Sequence, residues 1–277
     1  MDPVVYEKLI AKFGLDKPLH VQYLIWMGRF LRGDLGFSFV NNQPVATQIV
    51  MRAKLTAELM LGSLFLSLSL AIPLGVVSAV KHNSIFDNIF TILSTIGYCM
   101  PRFWMGLLFI YFFAVSLGWL PTFGVSTLGV KFNFFEGLLD HLKHLVLPMV
   151  TCMFNYLAYY FRMVRASMLE VLHEQYLTTA RVKGVKEQMV IYKHALRNAL
   201  LPVTTALGMS MGFILAGSVV IETVFAWPGL GSYLVVTTIQ RDYAGILGIS
   251  MLIVTMVLVT NLISDIAIAL IDPRIKY

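Results

Sequence analysis

Long apolar runs separated by short polar stretches dominate the chain. Five of them are read as membrane-crossing helices: Leu55 to Val80, Ile89 to Leu117, Leu145 to Val164, Leu201 to Ile221 and Ile246 to Ile271. A helix needs roughly 20 mostly apolar residues to cross the hydrocarbon layer, where every backbone polar group must be satisfied within the chain. The second run carries Pro101 and Arg102 near its middle. It is therefore either one span or an interfacial helix from Ile89 to Met100 followed by a span from Phe103 to Leu117. Ahead of the first run, Val5, Leu9 and Ile10 share one helix face between Val4 and Phe13, and a second helical stretch from Val21 to Leu31 is bounded by Pro18 and Gly33. The pattern predicts an all-α integral membrane protein, with residues 1–54 as an extracytoplasmic cap and residues 55–277 as the transmembrane domain.

Composition agrees with a membrane class: 58% of residues are hydrophobic, 13% are charged and the mean hydropathy is +0.77. A net charge of +6 could suggest nucleic acid. No aromatic-and-basic recognition motif accompanies it, and cytoplasmic loops beside anionic lipid account for the excess. Cys99 and Cys152 both have apolar neighbours, so they are expected to be small buried hydrophobes rather than a disulfide or ligand pair.

Orientation follows from the basic segment between Tyr176 and Pro202, which holds Arg181, Lys183, Lys186, Lys193 and Arg197 against one acid, Glu187. Lys/Arg excess in a short loop marks the cytoplasmic side. Working outward, the loop Lys81 to Asn88 and the C-terminus fall inside, while Gly118 to His144 and Glu222 to Gly245 fall outside. The same reasoning puts residues 1–54 outside, although they carry no signal peptide. The expectation is a further helix preceding residue 1, lost through truncation or a misplaced start. The alternative is a five-span protein whose N-terminal segment is translocated by the first span.

Within the basic segment, Thr178, Thr179 and Ala180, then three residues, then Gly184 place small side chains at a tight turn between two short helices, open to another protein's surface. On these residues the chain resembles the integral membrane permeases of ABC transporters. Their shared cytoplasmic signature is an alanine-containing triplet, three residues, a glycine and a downstream Leu-Pro. Thr179, Ala180, Gly184, Leu201 and Pro202 match it. HALRNALLP, from His194 to Pro202, is similar to the dipeptide and oligopeptide branch, as are Phe13 to Phe39, ETVFAWPGLG from Glu222 to Gly231, and DPRI from Asp272 to Ile275. Thr178 stands where many families have glutamate, a departure this branch shares. In those relatives a first transmembrane helix precedes Gly-Asp-Pro, and this chain begins Met1-Asp2-Pro3.

The resemblance implies the transmembrane domain of a type I ABC importer in a prokaryotic inner membrane, with about five spans present and a first one missing. It implies a coupling loop over about residues 166–200, in which Thr178, Thr179, Ala180, Gly184, His194, Arg197, Asn198 and Pro202 meet the ATPase. The implied partners are a second homologous permease subunit, two cytoplasmic ABC ATPase subunits and an extracytoplasmic substrate-binding protein. ATP and Mg would sit on the ATPases, with no cofactor on this chain. Consistently, no G-x-x-x-x-G-K-[ST] occurs in the sequence, so the chain is not expected to be an enzyme. The implied cargo is a peptide, although dipeptides, longer peptides, glutathione and nickel chelates are not separated.

Other residues carry candidate chemistry. Asp265, one turn after Asn261, is an acid inside a span, placed for a path or for a structural contact near the inner interface. Arg102 either lines a path for a peptide carboxylate or marks a helix end. Pro228 and Gly229, in the turn that follows Glu222, are read as shaping an outer gate. His141 and His144 share a helix face, but no third metal ligand lies nearby. An ATP-independent secondary transporter or channel would need buried charges or broken helices as ion sites. The near absence of charge in the spans counts against that reading, and a membrane scaffold would leave the basic segment without a partner.

Overall fold

The computed structural model of the protein describes residues 16–214 and 218–271, with side chains described as far as Ile263 and at Ile266. The helix expected over Val4 to Phe13, the terminal DPRI and the Asp265 side chain lie outside the described residues. The first described helix, α1 (Leu19–Leu31), follows Pro18 and ends before Gly33. A short loop closed by a single bridge between Phe37 and Pro44 leads into α2 (Val45–Val80). Proline at the cap suits a helix start, because the first turn has no use for its missing N–H.

At 36 residues α2 is about 54 Å long at 1.5 Å per residue, well beyond the ~30 Å hydrocarbon layer. It begins at Val45, ahead of the apolar run read from Leu55, because Val45 and Ile49 are buried against Leu230, Tyr233 and Ile249. Hydropathy does not register that contact, since Arg52, Lys54 and Glu58 lower the local average.

The second expected span is broken. Helix α3 (Ile85–Cys99) starts at Ser84, whose hydroxyl accepts from the Asp87 amide. It stops at Met100, which Pro101 holds in extended backbone. Helix α4 (Arg102–Phe109) then runs into a π-helical turn, Ile110–Ser116. The two arms meet at 106°, so this stretch is an elbow and not a straight crossing.

Helix α5 (Phe134–Leu172, 39 residues) opens on a capping box between Asn133 and Glu136 and contains the expected span from Leu145 to Val164. It lies along α2, and Met60, Leu64, Ala71, Tyr160, Val164 and Met168 form the middle of the main core. Helix α6 (Gln175–Val182) follows at once. The short pieces Glu187–Met189, Val190–Ala195 and Leu196–Ala199 then lead to α7 (Leu201–Gly212). The fourth expected span, Leu201 to Ile221, is thus not one helix: α7 ends at Gly212, and the chain resumes with α8 (Val219–Val224), α9 (Leu230–Ile239) and α10 (Tyr243–Ile271). Apolarity alone could not locate this break, because the residues on both sides of it are equally apolar.

Among the described residues two helices, Val45–Val80 and Tyr243–Ile263, are long and apolar enough to cross a membrane, and the bent pair α3–α4 would make a third. Helix α5, which holds the expected span Leu145 to Val164, is long enough but not apolar enough to join them. Cys152 is buried as expected, whereas Cys99 is exposed. Apolar neighbours mark a membrane-facing surface as readily as a core.

Candidate functional site

The coupling segment owes its shape to a helix stop. Val185 N–H donates to the Ala180 carbonyl at 3.2 Å and Gly184 N–H to the Arg181 carbonyl at 2.9 Å, while Gly184 has φ +78. This crossed pair of bonds is a Schellman cap, with Ala180 three positions before the cap and Gly184 in the left-handed position just after it. The alanine-to-glycine spacing therefore has a physical origin: it is the reach of the cap closing α6. A Cβ at Gly184 would meet no atom within 4 Å, so the glycine serves backbone conformation and leaves the surface open.

Leu177 is fully buried and anchors α6 to the core. Tyr176 fixes it sideways: its hydroxyl accepts from Asn198 Nδ2 at 2.7 Å and lies 3.5 Å from the His194 carbonyl. Thr178, Thr179, Arg197, Asn198 and Pro202 are exposed, and Ala180 and His194 are half-buried. Arg181 pairs with Glu187 at 3.0 Å. The guanidinium holds the Glu187 carboxyl below its usual range, and the carboxylate raises Arg181 in turn. With that acid taken, Lys183, Lys186, Lys193 and Arg197 form no ion pair with any described residue, and the surface is a net cation.

Seven residues before the end of α5, Arg165 grips Asp87 with Nε at 2.5 Å and Nη2 at 2.8 Å. Asp87 is fully buried and also accepts from Ser78 and from the Asn83 amide at 2.9 Å. One carboxylate therefore joins the end of α2, the start of α3 and the stem that carries α6. Sequence reading missed both partners. The signals available were the Ser84-x-x-Asp87 start of a helix and an arginine at the edge of an apolar run.

At the other end of the bundle Glu222 is fully buried. It accepts from the Thr56 hydroxyl at 2.9 Å and the Ser232 amide at 2.8 Å, while Thr56 Oγ1 accepts from the Leu230 amide at 2.8 Å. A Cβ on Gly229 would lie 2.5 Å from both Glu222 Cδ and Thr56 Oγ1, so Pro228 and Gly229 form a turn wrapped around this carboxylate. Trp227, also buried, donates from its indole to the Leu55 carbonyl at 3.1 Å. Ser38 and Asp242 hold the N-terminal loop to the start of α10 at 2.5 Å.

The remaining candidates separate. Arg102 donates to Asn155 at 2.6 Å and stays exposed. His141 lies 2.9 Å from Glu58 and 3.1 Å from the Val125 carbonyl, while His144 contacts the Asp140 carbonyl at 2.8 Å. The two rings have different partners, and the described residues hold no group of three metal-ligating side chains.

Residues 71–277 match the family model described as binding-protein-dependent transport system inner membrane component. The oligopeptide transport system permease protein AppB of Bacillus subtilis is 44% identical over 282 residues, covering 100% of this chain and 88% of that protein. The dipeptide transport system permease protein DppB of Escherichia coli K12 is 38% identical over 298 residues, covering 100% and 87%. A chain of the MetNI methionine ABC transporter, in an inward-facing crystal form, shares the fold with a TM-score of 0.62 at 17% identity, over 81% of this chain and 96% of that one. With the family model matched across most of its length, this chain belongs to the binding-protein-dependent transport system inner membrane component family.

Proposed function

We propose that the protein is a permease subunit of an ATP-driven importer of di- or oligopeptides. It pairs with a sister permease, receives peptide from an extracytoplasmic binding protein and is driven by two cytoplasmic ATPases that hold ATP and Mg. The observation that carries the reading is α6: a short, Schellman-capped helix anchored by Leu177 and Tyr176, displaying Thr178 and Thr179 to solvent beside the cations Lys183, Lys186, Lys193 and Arg197 that follow it. Such an element is rigid toward its own bundle and open toward a partner. Movement of an ATPase against it would be carried up α5 through Arg165 and Asp87.

In this reading α6 and the C-terminus are cytoplasmic and residues 1–54 are outside, in keeping with the positive charge around Gly184. The Glu222, Pro228 and Gly229 turn acts as the outer gate, where a buried carboxylate fixes the turn's shape. The peptide cargo rests on the printed names of the relatives. Against an ATP-independent transporter, the buried acids are each engaged by structural partners, Asp87 by Arg165 and Glu222 by Thr56 and the Ser232 amide.

The test is to isolate the tagged protein from its native host in mild detergent and identify what accompanies it. Two ATPases and a second permease are expected, and the assembled complex with its binding protein should take up trialanine into vesicles only with ATP present. Recovery of the protein alone, with ATP-independent uptake, would contradict the proposal.

A further inference from the structure

The exposed face shared by α3 and α5 is unlike the rest of the apolar surface. Along α5, Asn155, Tyr159 and Arg162 recur at i, i+4 and i+7, the spacing of one helix face. Opposite them Thr95 and Tyr98 lie on α3, and Arg102 stands just past the elbow at Pro101. The two rows meet: Arg102 Nη2 donates to Asn155 Oδ1 at 2.6 Å, and the Arg162 guanidinium lies over the Tyr98 ring, 5.3 Å from its centroid. Between the helices is an open cleft of about 470 Å³ lined by Tyr98, Tyr159, Arg162 and Arg165.

Charge accounting singles out Arg162 and Arg102. Arg165, in the same cleft, is neutralised by Asp87. Neither Arg162 nor Arg102 has a carboxylate partner among the described residues, and both are exposed. They lie within the stretches read as spans, where a guanidinium turned to lipid is strongly disfavoured and a cation normally faces water or an anion. The Arg162 guanidinium sits over the Tyr98 ring, and its N–H edge has no hydrogen-bond partner among the described residues. That edge is what a carboxylate takes, through two parallel charge-assisted hydrogen bonds.

We propose that this face is a wall of the substrate path and that Arg162 binds the carboxylate of the peptide in transit, with Arg102 as a second station. Asn155 and Arg162 are seven residues apart on α5, which sets the stations about 10 Å from each other along the helix. A peptide carboxylate could thus be passed from one guanidinium to the next while the Tyr98 and Tyr159 rings pack against its backbone. The inference rests on the peptide-importer reading above.

The test uses the assembled transporter with its binding protein in vesicles, with Cys99→Ser as background because Cys99 is exposed. Arg162→Gln should lower ATP-dependent trialanine uptake at least tenfold, whereas Arg162→Lys should retain a substantial part. Arg162→Cys should react with membrane-impermeant methanethiosulfonate reagents. Attachment of an aminoethyl group should restore uptake, and attachment of a sulfonatoethyl group should not. Trialanine supplied under vanadate trapping should slow the labelling.

Undiminished uptake by Arg162→Gln would overturn the inference. So would an introduced thiol in Arg162→Cys that is unreactive in the intact complex, as expected if this arginine faces the sister subunit or lipid. So would labelling that trialanine does not slow, as expected if the anion at Arg162 is a lipid phosphate. Absence of ATP-dependent trialanine uptake by the unmodified complex would instead remove the peptide-importer reading, and this inference with it.

Discussion

The Asp87 carboxylate and the Arg165 guanidinium, 78 residues apart in sequence, are joined by two hydrogen bonds at 2.5 and 2.8 Å. Asp87 has 1% side-chain exposure and Arg165 has 21%. The two substitutions that break the pair should therefore differ. Arg165→Ala strands a buried carboxylate and should cost about 3 kcal/mol or more, in the range for a broken buried pair. Asp87→Ala leaves a cation that can turn toward water and should cost less. Unfolding in mixed detergent micelles would measure both, and the double substitution should cost clearly less than their sum. Additive losses would mean that the contact contributes nothing as a pair.

Thr56 is placed between two clients. It donates to Glu222 at 2.9 Å and accepts from the Leu230 amide at 2.8 Å, with no exposure to solvent. Thr56→Val keeps the shape but leaves a buried carboxylate oxygen and a buried N–H without this partner, at about 1–3 kcal/mol for each group so stranded. The variant should unfold at a visibly lower temperature in detergent, whereas Thr127→Val, which removes a hydroxyl from an exposed contact with Asp140, should change little.

Asp242 has 1% exposure and accepts from the Ser38 hydroxyl at 2.5 Å and from the Phe39 amide at 3.1 Å. It is the polar anchor that fixes the loop ahead of α2 to the start of α10. Asp242→Ala should release that loop. Limited proteolysis should then cut between Gly33 and Pro44 several times faster than in the unmodified protein, with the helices intact.

The local features were legible in the sequence and the long-range ones were not. The α6 stop could be seen from Ala180 and Gly184, because a Schellman cap is built from consecutive residues. A break at Pro101 was one of the two readings the sequence left open, and its 106° angle depends on what α4 packs against. The end of α7 and the start of α8 were hidden inside one apolar run, since hydropathy is blind to a break between equally apolar pieces. Asp87 with Arg165 and Thr56 with Glu222 are separated by 78 and 166 residues. Neither pairing leaves a periodic trace, so each residue alone reads as an ordinary loop or helix-end polar group. Arg162 was overlooked because one arginine near the end of an apolar run resembles an interfacial anchor.

The central claim is that α6 passes the work of an ATPase to the helices above it, and Gly184 gives the most direct access to it. A left-handed residue costs asparagine and aspartate less than most side chains, and open space surrounds the position. Gly184→Asn and Gly184→Asp should therefore both fold, while aspartate alone places a negative charge on the cationic contact surface. The decisive measurement is ATP hydrolysis and trialanine uptake, recorded together in vesicles holding the full transporter, for the unmodified protein and both variants. The account predicts that Gly184→Asp continues to hydrolyse ATP while uptake falls at least tenfold, with Gly184→Asn much less affected. Uptake by Gly184→Asp equal to that of the unmodified transporter would contradict it.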